Sequence, residues 1–497
     1  MRKLAFIVVL LSAGILLWKI HLYPIRLGIY EGMNGLTALK VAEGDQAEIG
    51  HLWAKPWEMQ IMGAGGCLSG NHSAFFIYPT AFFIKVFGID KYYVSLRASG
   101  IMFGVLSVWL LYLILAKMFN RPVGVIGAFI MSTSSWFIGF CRICQDWSAT
   151  IFFSLLCIYV YTQSDRRRNP IGYIILGALM ALAPYFYGPA RMIVPLLGLI
   201  ILIRIATERG YLRTYWPSLI FMADAFLIVL LLEGIKLKGF HSTNIPNCEW
   251  FWVRYGFHPH DCATPWEYLG KILTFAYNRF FVQWGWFREI VGERDACLGP
   301  VTRYLLLVGL AWSIVKIHHR RYRFLLIWFI VMALPALLSQ TWFRRSLQVI
   351  PAIAALAAIG VYNMLNLATS WIKKGRSVVL SVLVLAVLLP VAWINLQHYF
   401  GLYQAERYTR GMLRERSNRE KFIELLKEYK VYSGLYQSEK GWPEGMIFEA
   451  KRIGREDYYT GSPNHKQLRA AFDADPGPCA LIDKSGQVEI KDGSANQ

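Results

Sequence analysis

The chain has 497 residues, 55% of them hydrophobic and 17% charged, with a mean hydropathy of +0.36. A soluble domain carries about 25% charged residues, so this composition excludes a disordered chain and argues against an ordinary soluble enzyme. The recurring apolar runs point instead to an α-helical polytopic membrane protein. The excess of 52 Lys+Arg over 32 Asp+Glu would suggest nucleic acid in a soluble protein. Here the basic clusters sit at the ends of apolar segments, so basic cytoplasmic loops account for them without a nucleic-acid partner.

Met1-Arg2-Lys3 is followed by apolar residues from Leu4 to Trp18 with no small-x-small cleavage site after them, which predicts an uncleaved first span with its N-terminus inside. Further apolar segments follow at about 95–117, 122–140, 147–163, 171–187, 190–206, 217–234, 301–316, 323–338, 346–366 and 377–395. Each is near the ~20 residues that cross a bilayer core, giving about eleven spans in all. With the N-terminus inside, five connectors fall on the cytoplasmic side. They hold Lys117 and Arg121; Arg166-Arg167-Arg168; Arg204, Arg209 and Arg213; Lys316, Arg320, Arg321 and Arg323; and Lys373, Lys374 and Arg376. All five are basic, as the excess of cytoplasmic Lys and Arg requires.

Three regions fall on the outer side: about 23–94, which has helical patterning, about 235–300, and the tail 396–497. The tail is polar, opens with a charged helical stretch from Glu406 to Lys430, and ends in a strand-like run, Ala480-Leu481-Ile482. It reads as a small C-terminal α/β extracytoplasmic domain. The predicted organisation is therefore a transmembrane module over 1–395 followed by that domain over 396–497.

Ionisable groups at a membrane edge are costly unless paired or functional. Several collect on the outer side: Glu31 beyond the first span, Arg97 at the start of the second, Arg142 and Asp146 in a short turn, Arg191 after Tyr187-Gly188-Pro189-Ala190, and Arg344 and Arg345 between the ninth and tenth spans. A carboxylate can take a proton from an attacking hydroxyl, and arginines can hold a departing phosphate bidentately. Together they suggest group transfer from a phosphate-activated donor held in lipid. Interfacial anchors and satisfied ion pairs are the competing explanation for any single residue. In the loop at about 235–300, His258, His260 and Asp261 could bind a divalent metal, although H-x-H-D on a loop has no fixed geometry and a surface role is commoner. Cys248, Cys262 and Cys297 in the same region offer a disulfide in an oxidising compartment, its pairing open. Its many Trp and Tyr residues suit an interfacial belt. Cys141 and Cys144 form one C-x-x-C without a second half, and Asp224 stands alone in the seventh span.

These patterns, taken in order, resemble the GT-C glycosyltransferases of the protein O-mannosyltransferase and aminoarabinose-transferase type. Tyr30-Glu31-Gly32-Met33-Asn34 to Gly44 looks like that family's first outer loop, and Pro79 through Phe87-Gly88 to Leu96-Arg97-Ala98-Ser99 like the approach to its second span. Arg142 to Asp146 looks like its R-x-x-x-D turn, Tyr187 to Arg191 like its Y-x-x-x-R turn, and Arg344 to Pro351 like the segment that puts an arginine near the lipid phosphate. One departure stands out: Tyr30 replaces the first acid of the usual Asp-Glu pair. The resemblance implies a helical bundle in a membrane, such as the inner membrane of a bacterium, with the site on the periplasmic side. It implies a polyprenyl-phosphate-linked sugar as donor and a glycan, lipid or protein as acceptor. Glu31 is then the first candidate for the base and Asp146 the second. Arg344, Arg345, Arg142, Arg191 and Arg97 are candidates for the donor phosphate, and Tyr187 for the substrate. A transporter or flippase of a lipid-linked sugar is the alternative; such proteins tend to show internal repeats, and none is evident here.

The topology has a direct check. A reporter fused after residue 497 is expected to be active only in the exported compartment, and cytoplasmic-only activity would reverse the orientation.

Overall fold

A computed structural model describes residues 2–20, 29–44, 74–89, 91–183, 186, 188–232, 298–338 and 343–402. In the tail it describes most of 422–433, together with 459–461, 465–475, 477–482 and 488–491, and it adds a few positions between 264 and 274. Among the described residues the membrane module is helical. In chain order it holds α1 (Arg2–Leu17), α2 (Ile29–Glu43), α3 (Ala74–Phe87), α4 (Tyr92–Met118), α5 (Arg121–Thr133), α6 (Ser135–Cys141), α7 (Trp147–Arg167) and α8 (Pro170–Ala181). There follow α9 (Ile193–Thr207), α10 (Tyr211–Leu232), α11 (Pro300–Val315), α12 (Arg320–Leu338), α13 (Ile350–Ala368) and α14 (Arg376–Leu402). Two 3-10 turns, Gly188–Met192 and Phe343–Val349, precede α9 and α13.

The local sequence explains where these helices begin and break. Asn120 accepts a hydrogen bond from the Val123 amide at 2.9 Å, and a proline in the first turn of α5 fixes the helical φ. Asn169 and Pro170 repeat the device at α8. Ser134 is extended and caps α6, so α5 and α6 meet at a bend of 66°. Helix α7 ends where Arg168 turns left-handed, with φ 51°.

Each of the eleven expected apolar segments contains a helix, but helix and span are not equivalent. Among the described residues, five helices are long and apolar enough to cross a bilayer: α4, the 188–207 stretch ending in α9, most of α10, the 345–368 stretch ending in α13, and α14. The bent pair α5–α6 would make a sixth. Helices α1, α8 and α11 are apolar but have only 16, 12 and 16 residues, short of the ~20 that span a hydrocarbon core. The outer region at 23–94 contributes α2 and α3, in keeping with its helical patterning.

The core of the module is α4, α5, α7 and α13, with α13 buried from Ile350 to Val361. Its run of alanines lets neighbouring backbones come close. At the crossing of α11 and α13, a Cβ on Gly309 would lie 1.9 Å from the Leu356 carbonyl oxygen, and one on Gly360 would lie 2.5 Å from that of Leu305. Helices α10 and α14 present large apolar side chains outward, among them Phe221, Ile228, Val382 and Leu385. Asp224 is exposed on this outer surface of α10.

In the tail, β1 (Lys430–Ser433), β2 (Tyr459–Gly461), α15 (His465–Ala474), β3 (Cys479–Ile482) and β4 (Val488–Lys491) form a four-stranded sheet in the order β2-β1-β3-β4. β1 pairs in parallel with β2 and β3, whereas β4 runs antiparallel to β3. The strand-like run at 480–482 is thus β3. Helix α15 packs on it through Phe472, which is buried with Cys479 and Leu481, and Arg469 reaches Glu489 of β4 at 3.0 Å. Of the charged stretch from Glu406, residues 403–421 lie outside the described residues.

Gly309→Ala puts a methyl group against a backbone carbonyl rather than a flexible side chain. It is expected to destabilise the purified protein by about 3 kcal/mol through overpacking, read as a lower melting temperature in detergent. An unchanged melting temperature would mean that α11 and α13 separate without cost.

Candidate functional site

Of the residues singled out in the sequence, the structure brings Glu31, Arg97, Arg142 and Asp146 together. Glu31 lies in the first turn of α2 and Arg97 in α4, and both are almost wholly buried. Arg97 donates from Nε to Glu31 Oε1 at 2.9 Å and from Nη2 to Oε2 at 3.2 Å, a two-pronged contact. Its Nη1 donates to the carbonyl of Ile20 at 3.0 Å, which ties in the end of α1. The Cys144 amide donates to Glu31 Oε1 at 3.0 Å, and Asn34 Nδ2 donates to the Cys144 carbonyl at 2.7 Å. Helix α2 therefore holds both the amide and the carbonyl of one residue, Cys144, in the turn between α6 and α7.

That turn carries the other two residues. Arg142 is fully buried, donates to the Ile15 carbonyl at 3.0 Å, and lies over the rings of Tyr399 (5.7 Å) and Phe400 (5.3 Å) in α14. Asp146 stands at the head of α7 and is half-buried. The two cysteines of the C-x-x-C are buried free thiols. Burial, reinforced by the charge of Glu31, holds the Cys144 thiol well above its ordinary range, which disfavours the thiolate.

The arginines expected at the donor phosphate are brought to the same end of α7 by two 3-10 turns. Gln348, in the turn that holds Arg344 and Arg345, donates to the Thr150 carbonyl at 3.0 Å in the first turn of α7. The turn Gly188–Met192, with half-buried Arg191, packs against both α7 and the Arg345 turn. Ahead of it, Phe186 stacks on Phe153 of α7 at 4.1 Å and on Phe75 of α3 at 5.2 Å. Arg345 is half-buried. Tyr187, the side chain of Arg344, and His258, His260 and Asp261 lie outside the described residues, as do Cys248, Cys262 and Cys297.

The geometry gives these residues different surroundings. A carboxylate holding a guanidinium by both oxygens and accepting an amide as well has most of its lone pairs engaged. Glu31 is in that state, and Arg97 is turned toward it and toward Ile20. Asp146 stands instead at the head of α7, the helix that the arginine-bearing turns also contact.

One cluster was not anticipated from the sequence. At the opposite end of α7, Asp165 is buried and pairs with both Arg204 of α9 and Arg320 of α12. The available signal was one acid in the run Asp165-Arg166-Arg167-Arg168, which composition alone reads as a basic connector.

The Glu31–Arg97 pair is expected to be a strong stability determinant. Arg97→Ala leaves a buried carboxylate uncompensated and should cost about 3–5 kcal/mol. The double variant Glu31→Gln with Arg97→Gln removes both charges and should lose less. Additive losses in a double-mutant cycle would mean that the two side chains are not coupled.

Residues 71–232 match the family model of the dolichyl-phosphate-mannose-protein mannosyltransferases. No curated protein sequence matches the chain. Among solved structures, ArnT from Cupriavidus metallidurans in the apo state is similar over 97% of this chain and 91% of its own, at 13% identity and a TM-score of 0.52. The same protein bound to undecaprenyl phosphate gives 12% identity and a TM-score of 0.51. The archaeal oligosaccharyltransferase AglB from Archaeoglobus fulgidus, solved with an inhibitory peptide and a dolichol-phosphate, is similar over 80% of this chain at 15% identity and a TM-score of 0.51. The chain spans 56% of that protein's length. At these identities the likeness is one of fold. The resemblance read from the sequence stands: the chain shares the fold of ArnT and AglB, and its residues 71–232 carry the dolichyl-phosphate-mannose-protein mannosyltransferase pattern.

Proposed function

We propose that the protein is a membrane glycosyltransferase. It moves a hexosyl or pentosyl group from a polyprenyl-phosphate donor to an acceptor hydroxyl of a glycan, lipid or protein on the non-cytoplasmic face. The observation that carries the reading is the assembly at the head of α7, where the half-buried Asp146 shares one end of the bundle with the turns of Arg191 and Arg345. The solved relatives support the donor class, since AglB was captured with a dolichol-phosphate and ArnT with undecaprenyl phosphate.

In this reading the acceptor oxygen attacks the anomeric carbon while Asp146 takes its proton. The sugar–phosphate C–O bond breaks on the opposite side, and its electron pair stays on the polyprenyl phosphate. Arg345, Arg344 and Arg191 bear the charge left there. A single attack opposite the leaving group inverts the anomeric centre. Glu31, first choice on sequence grounds, is reassigned from base to positioning residue, because its oxygens hold Arg97 and the Cys144 amide. Arg97 is likewise reassigned from the phosphate to Glu31. Arg142, with its guanidinium on the Ile15 carbonyl and two aromatic rings, braces the turn. Tyr187 keeps its assignment to the substrate, and His258, His260 and Asp261 keep theirs to a divalent metal.

The test is transfer of a radiolabelled sugar from a polyprenyl-phosphate donor by the detergent-solubilised protein. Product without vesicles supports an enzyme, and lipid-sugar movement across vesicles with no product in detergent overturns it. Asp146→Asn should reduce turnover at least ~100-fold with donor binding retained. Arg345→Ala should lose about 1.5–3 kcal/mol at limiting donor. Turnover near wild type in Asp146→Asn would move the base elsewhere.

A further inference from the structure

Helices α7, α9 and α12 share a feature at both ends. At the outer end each adjoins one candidate site residue: Asp146 heads α7, Arg191 lies in the turn before α9, and Arg345 lies in the turn after α12. At the inner end each supplies one member of a charge cluster: Asp165 from α7, Arg204 from α9 and Arg320 from α12. One oxygen of Asp165 takes Arg204 Nη1 and the other takes Arg320 Nη2, so a single carboxylate bridges two helices.

The cluster is built with supporting bonds. Arg204 Nη1 also donates to the Tyr161 hydroxyl at 3.2 Å, and its Nη2 donates to Glu208 Oε2 at 2.9 Å. Arg204 lies over the Tyr211 ring at 4.0 Å, and the Tyr215 hydroxyl donates to the Asp165 carbonyl at 3.0 Å, which brings in the start of α10. Arg320 Nε is 3.7 Å from Glu208 Oε1. Asp165 and Arg204 are buried, whereas Arg320 is 47% exposed at its side chain. Two arginines and two acids leave the cluster neutral, within connectors that are otherwise strongly basic. A surface ion pair contributes little. A carboxylate buried between two guanidiniums from different helices instead resists sliding of those helices, because moving either one takes a charged partner from the buried Asp165.

We propose that the Asp165–Arg204–Arg320 bridge is a positioning device for the site at the other membrane face. It locks α7, α9 and α12 in mutual register and so sets the spacing between the base on α7 and the phosphate-binding arginines adjoining α9 and α12. Helix α7 carries that register over about 27 Å, from its rise of about 1.5 Å per residue. The proposal rests on the glycosyltransferase reading for its catalytic consequence but not for the register itself. Asp165, Arg204 and Arg320 are positioning residues and touch no substrate.

The experiment uses the full-length protein in detergent or nanodiscs. It compares Asp165→Asn, Arg320→Gln and Asp165→Glu with wild type, and two readouts are taken. The first is the distance between spin labels at Leu199 of α9 and Ile330 of α12, both exposed. It should be narrow in wild type, broaden in Asp165→Asn and Arg320→Gln, and narrow again in Asp165→Glu, which keeps the charge. The second is transfer kinetics: kcat should fall roughly tenfold or more in Asp165→Asn, since small misplacement of reacting groups is costly. Donor KM should change less than about threefold, because each helix keeps its own site residue. Arg320→Gln leaves the Arg204–Asp165 pair in place, so it keeps the test open if Asp165→Asn does not fold. A folded variant whose label distance and kcat both match wild type overturns the proposal, and so does failure of Asp165→Glu to restore either. If wild type shows no transfer while the label distances respond as described, the glycosyltransferase reading fails and the register lock stands.

Discussion

One end of the helical bundle depends on one buried ion pair. Taking a carboxylate and a guanidinium out of water costs several kcal/mol each. Glu31 and Arg97 tolerate this because their contact is two-pronged and because the remaining donors and acceptors are occupied by Ile20, Cys144 and further neighbours. The pair joins the end of α1, the first turn of α2, the second turn of α4 and the turn leading into α7. Weakening it would release the peptide that places Asp146. Under the proposed assignment, the residue that looks most like a base by motif holds the turn that carries the base.

Arginines elsewhere do related work with different partners. Arg142 finds a carbonyl and two aromatic faces, Arg204 finds two acids and a tyrosine hydroxyl. A planar guanidinium with five donors suits such shared contacts better than an ammonium. The buried arginines are therefore joints between helices, whereas Arg191 and Arg345 are half-buried in the turns before α9 and α13. In a low-dielectric bundle, burial distinguishes the two classes of arginine more sharply than sequence position does.

Between these two polar layers the bundle is held by close packing. The alanine-rich α13 touches α5, α11 and α12, and Gly309 and Gly360 let α11 and α13 approach to backbone contact. Lipid tails are as apolar as leucine, so helix association here comes from packing and hydrogen bonding and not from the removal of apolar surface from water. A tightly packed middle makes helix register transmissible from one end of the bundle to the other, the mechanical basis of the proposed link from Asp165 to the head of α7.

Much of the architecture was legible in the sequence because hydropathy and charge act locally. Apolar runs found their helices, basic residues marked the helix ends, and the outer loop yielded α2 and α3. Asn120 with its proline and Ser134 set helix starts and a break that sequence chemistry explains. The ordered short patterns around Glu31, Arg97, Arg142, Asp146 and Arg345 also pointed to one fold. What sequence did not yield was partnership. Glu31 and Arg97 are 66 positions apart, and Asp165 and Arg320 are 155 apart. No periodicity reports a pairing across such a distance, because a charge that is free and a charge that is clamped look identical in one dimension. Tertiary structure alone determined that Arg97 faces a carboxylate, that Asp165 belongs to a bridge and not to a basic loop, and that several apolar helices are shorter than a bilayer. The physical reason is that burial and pairing are properties of the neighbours a side chain meets after folding, whereas the chain itself encodes only its own preferences.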